Sequence, residues 1–304
     1  MKHMTNALTT MEAMVLMEIR ISPSQLKAWS TCRESHRLGY LCNIESAYPK
    51  IHYHFGKVVH KMCQGYWDGK PYMESFQAAL ELSQQLDPRK LDGADRKKWV
   101  DMCDTIAPIT TVYYGYHDAM ASRLASVTYN EAWVEWLYIV KNHVTVIANG
   151  IIDRYQQGVL TDTKTASAVG RDWKSDLKKR LLREPQLPFY KRFLVSEHKP
   201  VEKIQYEIIV KPYRGSEPYV EIIDCTKEFL ATEAQFNAVM DWHIREIVEY
   251  YTCCREAQPW PMSHTACVGM FGDCEYLPIC SGKASAEDTS LYQIKTKESN
   301  NERT

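Results

Sequence analysis

The chain has 304 residues, 45% hydrophobic and 25% charged, enough apolar material for one large domain or two modest ones. Its formal net charge of −1 excludes a uniformly basic coat, and no apolar run approaches the roughly 18 residues of a membrane helix. Ten cysteines without a secretory apolar segment point to a reducing, intracellular setting, where thiols bind metal or are buried more often than they form disulfides.

Residues 1–20 read as a flexible lead, with five of the twelve Met in the first 17 positions. Ser22, Pro23 and Gln25 then spell a helix start: N-cap, N1 and the N3 partner of a capping box. Cys32 falls on this helix or just past its end. Phe55–Trp67 reads as a second helix with Val59, Cys63 and Tyr66 on one side. Residues 72–124 are mostly helical, punctuated by Pro88 and Pro108.

A β-rich arm from Val144 to Tyr155 follows, then Gln157-Gly158 as a two-residue turn, then a second arm from Val159. This register sets Gln156 against Val159 and Asp153 against Asp162, and puts Asp162 and Lys164 on one face. Opposed like charges roughly 5 Å apart destabilise a strand pair. The patch is therefore either a solvated face, with Lys164 offsetting one Asp, or a metal site. Hard divalent cations collect carboxylates that otherwise repel, and a nearby Lys adds charge for a developing phosphorane-like oxyanion.

Helices are expected over Lys174–Glu184 and Gln186–Val195. Residues 171–192 around them carry eight Lys/Arg against three Asp/Glu. That excess is either a solvated helix face or a phosphate-contacting ridge, in which Trp173, Phe189 and Tyr190 stack bases. Alternation of Ile204, Tyr206, Ile208 and Val210 predicts a strand, with Tyr219–Cys225 its partner after a turn at Arg214-Gly215. Residues 227–256 form a long helix with Phe236, Met240, Ile244, Ile247 and Tyr251 at helical spacing. Trp260–Gly282 is irregular and Cys-bearing, and the polar remainder reads as disordered. The expected architecture is a mixed α/β fold with a central sheet and a helical insertion before the hairpin. It divides into a lead (1–20), one domain (21–282) and a tail (283–304). Within the domain, 21–125 is helical, 126–226 is the core, and 227–282 holds the last helix and the cysteine loop.

Cys267, Cys274 and Cys280 lie within 14 residues, and Gly269, Gly272 and Pro278 bend the chain between them. Cys32 is the best fourth partner. Such a set holds zinc or an iron–sulfur cluster, or consists of buried thiols. Gaps of six and five residues favour the cluster over a zinc knuckle built on C-x₂-C pairs. Joining Cys32 to Cys267 closes a loop of over 200 residues, worth about 5 kcal/mol by loop-closure entropy.

Together these pieces resemble the RecB-like nucleases of the PD-(D/E)XK superfamily. The matching branch carries a C-terminal iron–sulfur staple and includes AddB-type nuclease domains and the nucleases of CRISPR adaptation. The resemblance spans Ile21 to Gly282. G-x₃-H appears as Gly56 to His60, and G-x-x-D as Gly150 to Asp153, followed by Arg154. D-x-K appears as Asp162 to Lys164, Q-x₃-Y as Gln186 to Tyr190, and the one-plus-three cysteines as Cys32, Cys267, Cys274 and Cys280. Each motif is weak alone, and their order is the specific signal. The six residues between Cys267 and Cys274 depart from the two that the family often has.

The resemblance implies a restriction-endonuclease-like central sheet flanked by helices. It implies that His60, Asp153, Asp162 and the Thr163 carbonyl hold one or two Mg²⁺ or Mn²⁺ ions that activate water for in-line attack on a phosphodiester. Lys164 would orient that water or stabilise charge, and Gln186 and Tyr190 would steady the site. Glu131 or Glu135, just upstream of the first strand, would add an outer-sphere carboxylate. The four cysteines would hold a 4Fe–4S cluster, with zinc the alternative. The implied activity is DNA hydrolysis, as an exonuclease on single strands. A catalytically silent DNA-binding or scaffold subunit of a recombination or CRISPR-adaptation complex is the other reading, and the complete residue set argues against it. No P-loop is present, so a helicase or a recombination or adaptation partner would supply any motor. No membrane partner is expected.

Overall fold

The computed structural model describes residues 17–48, 50–120, 127–141, 144–212, 216–253, 259–269 and 272–295. Strand β1 (Met17–Ile21) leads into α1 (Pro23–Thr31). Helix α1 starts with the expected capping box: Gln25 N donates to Ser22 Oγ, and Ser22 N donates to Gln25 Oε1. Helix α2 (Arg33–His36) runs into a π-helical turn (Arg37–Leu41), and β2 (Ile44–Ser46) follows. The helical insertion comprises α3 (Ile51–Trp67), α4 (Tyr72–Gln84), α5 (Gly93–Cys103) and α6 (Ile106–Ala119). Next come β3 (Tyr129–Lys141), β4 (Val144–Gln156) and β5 (Val159–Ser167), then α7 (Trp173–Leu181) and α8 (Gln186–Ser196). Strands β6 (Lys203–Lys211) and β7 (Tyr219–Asp224) precede the long α9 (Thr226–Cys253). The chain then passes through α10 (His264–Cys267), β8 (Val268–Gly269), β9 (Gly272–Asp273), α11 (Leu277–Cys280) and β10 (Tyr292–Ile294).

The central sheet runs β1-β4-β5-β6-β7, with β3 also paired to β4. The β1–β4 and β5–β6 pairs are parallel and the others antiparallel, so the sheet is mixed, as expected. The hairpin register is the predicted one, Gln156 against Val159, and the turn residues Gln157 and Gly158 take φ of +46° and +78°. Such left-handed angles match the twist of the flanking strands.

Two cores sandwich the sheet. On one face, Trp29 of α1, Leu187 and Phe189 of α8, and Ile244 and Ile247 of α9 bury against Leu160, Ile204 and Ile208. On the other, Ile209 meets Phe55, Val58, Met62, Tyr66 and Tyr113 of the helical insertion. Each such side chain contributes roughly 1.5–3 kcal/mol on burial, which fixes both layers against the strands.

Three expectations need correction. Residues 17–20 do not belong to a lead, because Ile19 and Ile21 alternate into the core and make β1; residues 1–16 lie outside those described. The stretch holding Glu131 and Glu135 is strand β3 and not a run-up to the first strand. The tail is ordered through residue 295: Tyr292 is 3% exposed, its hydroxyl donates to Glu275 O, and β10 pairs with β2. Its polar composition hides the few apolar residues that anchor it. The turn at Arg214-Gly215 lies outside the described residues. Among those described, no helix is long and apolar enough to cross a membrane.

Candidate active site

Strand β4 pairs with β3 along most of its length, so β1 and β5 must share its other edge. Strand β1 covers Val144 to Ala148, and β5 covers Arg154 to Gln156. Between them Asn149 to Asp153 have no strand partner on that edge, and their backbone groups need other partners. Helix α8 supplies one: Ile151 N donates to Tyr190 Oη at 3.0 Å. Gly150 makes that approach possible, since a Cβ there would lie 2.7 Å from Tyr190 Oη. The G-x-x-D and Q-x₃-Y segments are thus one packing unit.

Asp153 occupies the end of this gap. Its Oδ2 accepts from Thr163 N at 2.7 Å. Glu131, at φ +46°, interrupts the β3–β4 ladder between Asn130 and Ala132. A non-glycine residue held there stores of order 1 kcal/mol of strain or more. The kink brings its carboxylate to His60 of α3, at 2.8 Å from Nδ1. His60 Nδ1 is also 3.8 Å from Asp153 Oδ2, and Nε2 is 3.0 Å from Thr163 O. Ligand atoms of His60, Glu131 and Asp153 all lie within 4.8 Å of one another.

Asp162 stands beside this trio and not within it. Lys164 Nζ is 2.6 Å from its Oδ2 and donates to Gln186 Oε1 at 3.0 Å. That close ammonium is not aligned as a hydrogen bond, so both buried Asp162 oxygens lack a hydrogen-bond donor. Burial pushes the Asp162 carboxyl up to about 7, with Lys164 pulling it down and Asp153 pushing it further up. Burial likewise raises Asp153, opposed by His60 and reinforced by Glu131. Burial alone would lower the His60 imidazole, but Asp153 and then Glu131 outweigh it and raise it to about 10.

These observations fit a divalent cation. A buried carboxylate without donors is costly, and a dication satisfies it. Carboxylates and a backbone carbonyl suit Mg²⁺ and Mn²⁺, and the imidazole adds a borderline nitrogen donor. Of the two candidate outer carboxylates, Glu131 lies against His60, whereas Glu135 is half-exposed and paired with Arg20 at 2.9 Å. They stand four residues apart on β3, and the kink at residue 131 turns Glu131 to His60; nothing in the local pattern of the strand announces that kink.

A second ionic cluster, not anticipated from the sequence, lies one residue along the same strands. Glu207 of β6 is fully buried and paired in register with Thr163. Its carboxylate accepts from Arg154 at 2.9 and 3.2 Å, from Tyr113 Oη at 2.9 Å and from Thr163 Oγ1 at 3.3 Å. His117 Nε2 lies 3.0 Å away. The Arg154 guanidinium also sits 4.2 Å over the Trp67 ring. Burial would raise Glu207, but Arg154 and then His117 hold it far below the usual carboxylate range.

The expected phosphate-contacting ridge is largely neutralised. Lys174, Lys178, Lys179, Lys191 and Arg192 each meet a carboxylate, on Glu221, Glu228, Asp176, Glu233 and Asp241. Phe189 and Tyr190 are buried at 0% and 4% exposure, so neither offers a face to a base. Trp173 is half-buried and packs edge-on to Tyr219.

The four cysteines approach each other from both ends of the chain. Cys32 joins α1 to α2, Cys267 ends α10, Cys274 follows β9, and Cys280 ends α11. Burial pushes the Cys280 thiol up to about 11, and charge on Glu34 and then on Cys274, Cys32 and Cys267 adds to that shift. A small core of Leu38, Ile44, Tyr276 and Tyr292 packs against Cys274 and Cys280, so the ordered tail covers them.

A mixed sheet whose fork gathers carboxylates, an imidazole and a lysine makes a candidate metal-binding site. The family model of the PD-(D/E)XK nuclease superfamily matches residues 20–281, and the chain belongs to that superfamily. Comparison with curated proteins finds no match.

Proposed function

We propose that the chain is a Mg²⁺- or Mn²⁺-dependent deoxyribonuclease of the RecB-like branch, acting as an exonuclease on single strands. The observation that carries this is Asp162, buried without hydrogen-bond donors beside the His60, Glu131 and Asp153 ligand atoms. His60, Glu131, Asp153, Asp162 and the Thr163 carbonyl would hold the cation. When bound, it supplies a water of lowered pKa and charge neutralisation at the scissile phosphate.

The chain's own residues do the rest. Asp153 and Glu131 raise the proton affinity of the His60 imidazole, so that ring would have to lose a proton to serve as a ligand. Lys164 Nζ, fixed between Asp162 and Gln186, brings positive charge to where phosphate oxygens gain negative charge. Tyr190 closes the open edge of β4 and keeps the Asp153 segment in place.

The test is digestion of labelled DNA with Mn²⁺ or Mg²⁺ by the wild type, Asp162→Ala and Lys164→Ala. Equal activity in all three removes the assigned site. Substrates that are 5′-blocked, 3′-blocked or circular separate end-dependent from internal cleavage, and cutting of circles overturns the exonuclease reading.

We also propose that Cys32, Cys267, Cys274 and Cys280 hold a 4Fe–4S cluster. Electrostatic contact of Cys280 with Cys274, Cys32 and Cys267, and a small core packed against Cys274 and Cys280, support it: soft sulfur donors select iron–sulfur clusters or zinc. Anaerobically purified protein should be brown and contain iron. Colourless protein with stoichiometric zinc replaces the cluster with zinc.

A further inference from the structure

Helix α3 contains no Asp or Glu among its 17 residues. Phe55, Val58, Val59, Met62, Cys63 and Tyr66 are buried in the helical insertion. At 100° per residue, Tyr53, Gly56, Lys57, His60, Lys61 and Gln64 share the other side. Tyr53 is 55% exposed, with Lys57 Nζ 5.1 Å over its ring. Lys61 Nζ bonds Gln64 Oε1. Among the described residues, neither lysine meets a carboxylate, unlike the matched cations of α7 and α8.

Gly56 lies in the middle of this side. Glycine inside a helix is destabilising relative to alanine, so a packing reason is expected. Gly65 has one: a Cβ would lie 2.1 Å from Ser75 Oγ. Gly150 has Tyr190. Gly56 has nothing within 4 Å. Gly115 on α6 is open as well. What sets Gly56 apart is its place between Tyr53, Lys57 and His60 on one helix face.

We propose that this face of α3 is the track by which a single nucleic-acid strand reaches His60. Tyr53 stacks a base, Lys57 and Lys61 hold phosphates, and Gly56 leaves room for the strand to lie against the helix. The track rests on the nuclease reading for its destination. A single strand is the occupant that fits, because a duplex offers no unstacked base face to Tyr53, whereas alternating stacking and phosphate contacts are how single strands are gripped.

The experiment measures fluorescence anisotropy of a labelled single strand of about 20 nucleotides, bound to the full chain in an Asp162→Asn background, across a salt series. Lys57→Ala with Lys61→Ala should weaken binding about tenfold and flatten the salt slope by roughly 1.4. Tyr53→Ala should cost about tenfold. Gly56→Ala should keep or raise Tm yet weaken binding about fivefold, a split that a merely structural glycine does not give. Lys174→Ala with Lys179→Ala should stay within about twofold, because those lysines are already matched. Single-stranded RNA should show the same dependence, since phosphates and base faces are common to both. If the double lysine variant is unstable, Lys57→Gln with Lys61→Gln repeats the measurement.

The track is overturned if the α3 variants bind as the parent does, if the α7 variant loses as much, or if a duplex binds equally with the same Tyr53 dependence. Failure of the nuclease reading looks different. Wild type that never cleaves but binds through α3 removes the activity and leaves the track. Wild type that cleaves with binding indifferent to α3 removes the track alone.

Discussion

Two ionic clusters sit back to back on the same strands, offset by one residue. Asp153 and Asp162 belong to one, and their neighbours Arg154 and Thr163 to the other. In the Arg154 cluster every Glu207 oxygen is matched, and the carboxylate is held far below its usual range. In the Asp162 cluster the Asp162 carboxylate accepts no hydrogen bond, and burial drives the proton affinities of Asp162 and Asp153 up. Equal burial with opposite satisfaction separates a cluster that supports the fold from one that awaits a ligand.

The sharpest way to break this comparison is Asp162→Asn. It should lower cleavage by roughly 10³-fold while leaving Tm unchanged or raised, because it removes a buried charge that accepts no hydrogen bond and leaves Lys164 its bond to Gln186. A matching fall in Tm would make Asp162 structural. Glu207→Gln is the reverse experiment. It strands Arg154 in the core and should cost about 3–5 kcal/mol in urea unfolding. A cost below about 1 kcal/mol would show that the Glu207 cluster is not a support.

The two clusters should also respond to pH with opposite sign. Asp162 has a folded value of about 7, above its unfolded one, so its contribution to stability falls as pH rises from the usual carboxylate range through about 7. Glu207 has a depressed value, so its contribution is full above the usual Glu range and is lost as pH falls below it. To hold a cation, Asp162 would have to be ionised and His60 would have to give up its proton. The stabilisation by Mn²⁺, read as a rise in Tm, should therefore grow from pH 6 to pH 8, reaching about 2.7 kcal/mol of unfolding free energy at a hundredfold excess over Kd. A pH-independent shift would place the cation elsewhere.

A smaller effect isolates the fork itself. Gly150→Ala drives a methyl group into Tyr190 Oη and should cost about 1–3 kcal/mol. Tyr190→Phe in the same chain should recover part of that by removing the clashing oxygen, and additive losses would deny the contact. The smallest expected change comes from Glu135→Gln, within about 0.5 kcal/mol because its Arg20 pair is solvent-exposed. Glu131→Gln, four positions away, should by contrast weaken Mn²⁺ binding measurably in calorimetry.

Much of the fold was legible because local chemistry announces it. Ser22, Pro23 and Gln25 mark a helix start, and Gln157-Gly158 marks a hairpin whose register holds from Gln156 against Val159 to Arg154 against Thr161, one step short of the expected Asp153–Asp162 pair. The misreadings share one cause, which is that tertiary neighbours overrode composition. The basic stretch around α7 looked like a ridge because the sequence does not reveal that Glu221, Glu228 and Asp241 fold onto it. Phe189 and Tyr190 looked available for stacking, yet α8 turns both inward. The tail looked disordered because three residues, Tyr292 to Ile294, suffice to pin it.

The sequence by itself determined the order of the elements, the hairpin register and the chemistry on offer, since these depend on residues a few positions apart. Only the tertiary structure decided which charges go unmatched. The edge of β4 passes from β1 to β5 at residues 149–153, and Glu131 kinks toward His60 at that gap. Whether a buried carboxylate finds donors depends on groups tens of residues away, and no local pattern encodes that.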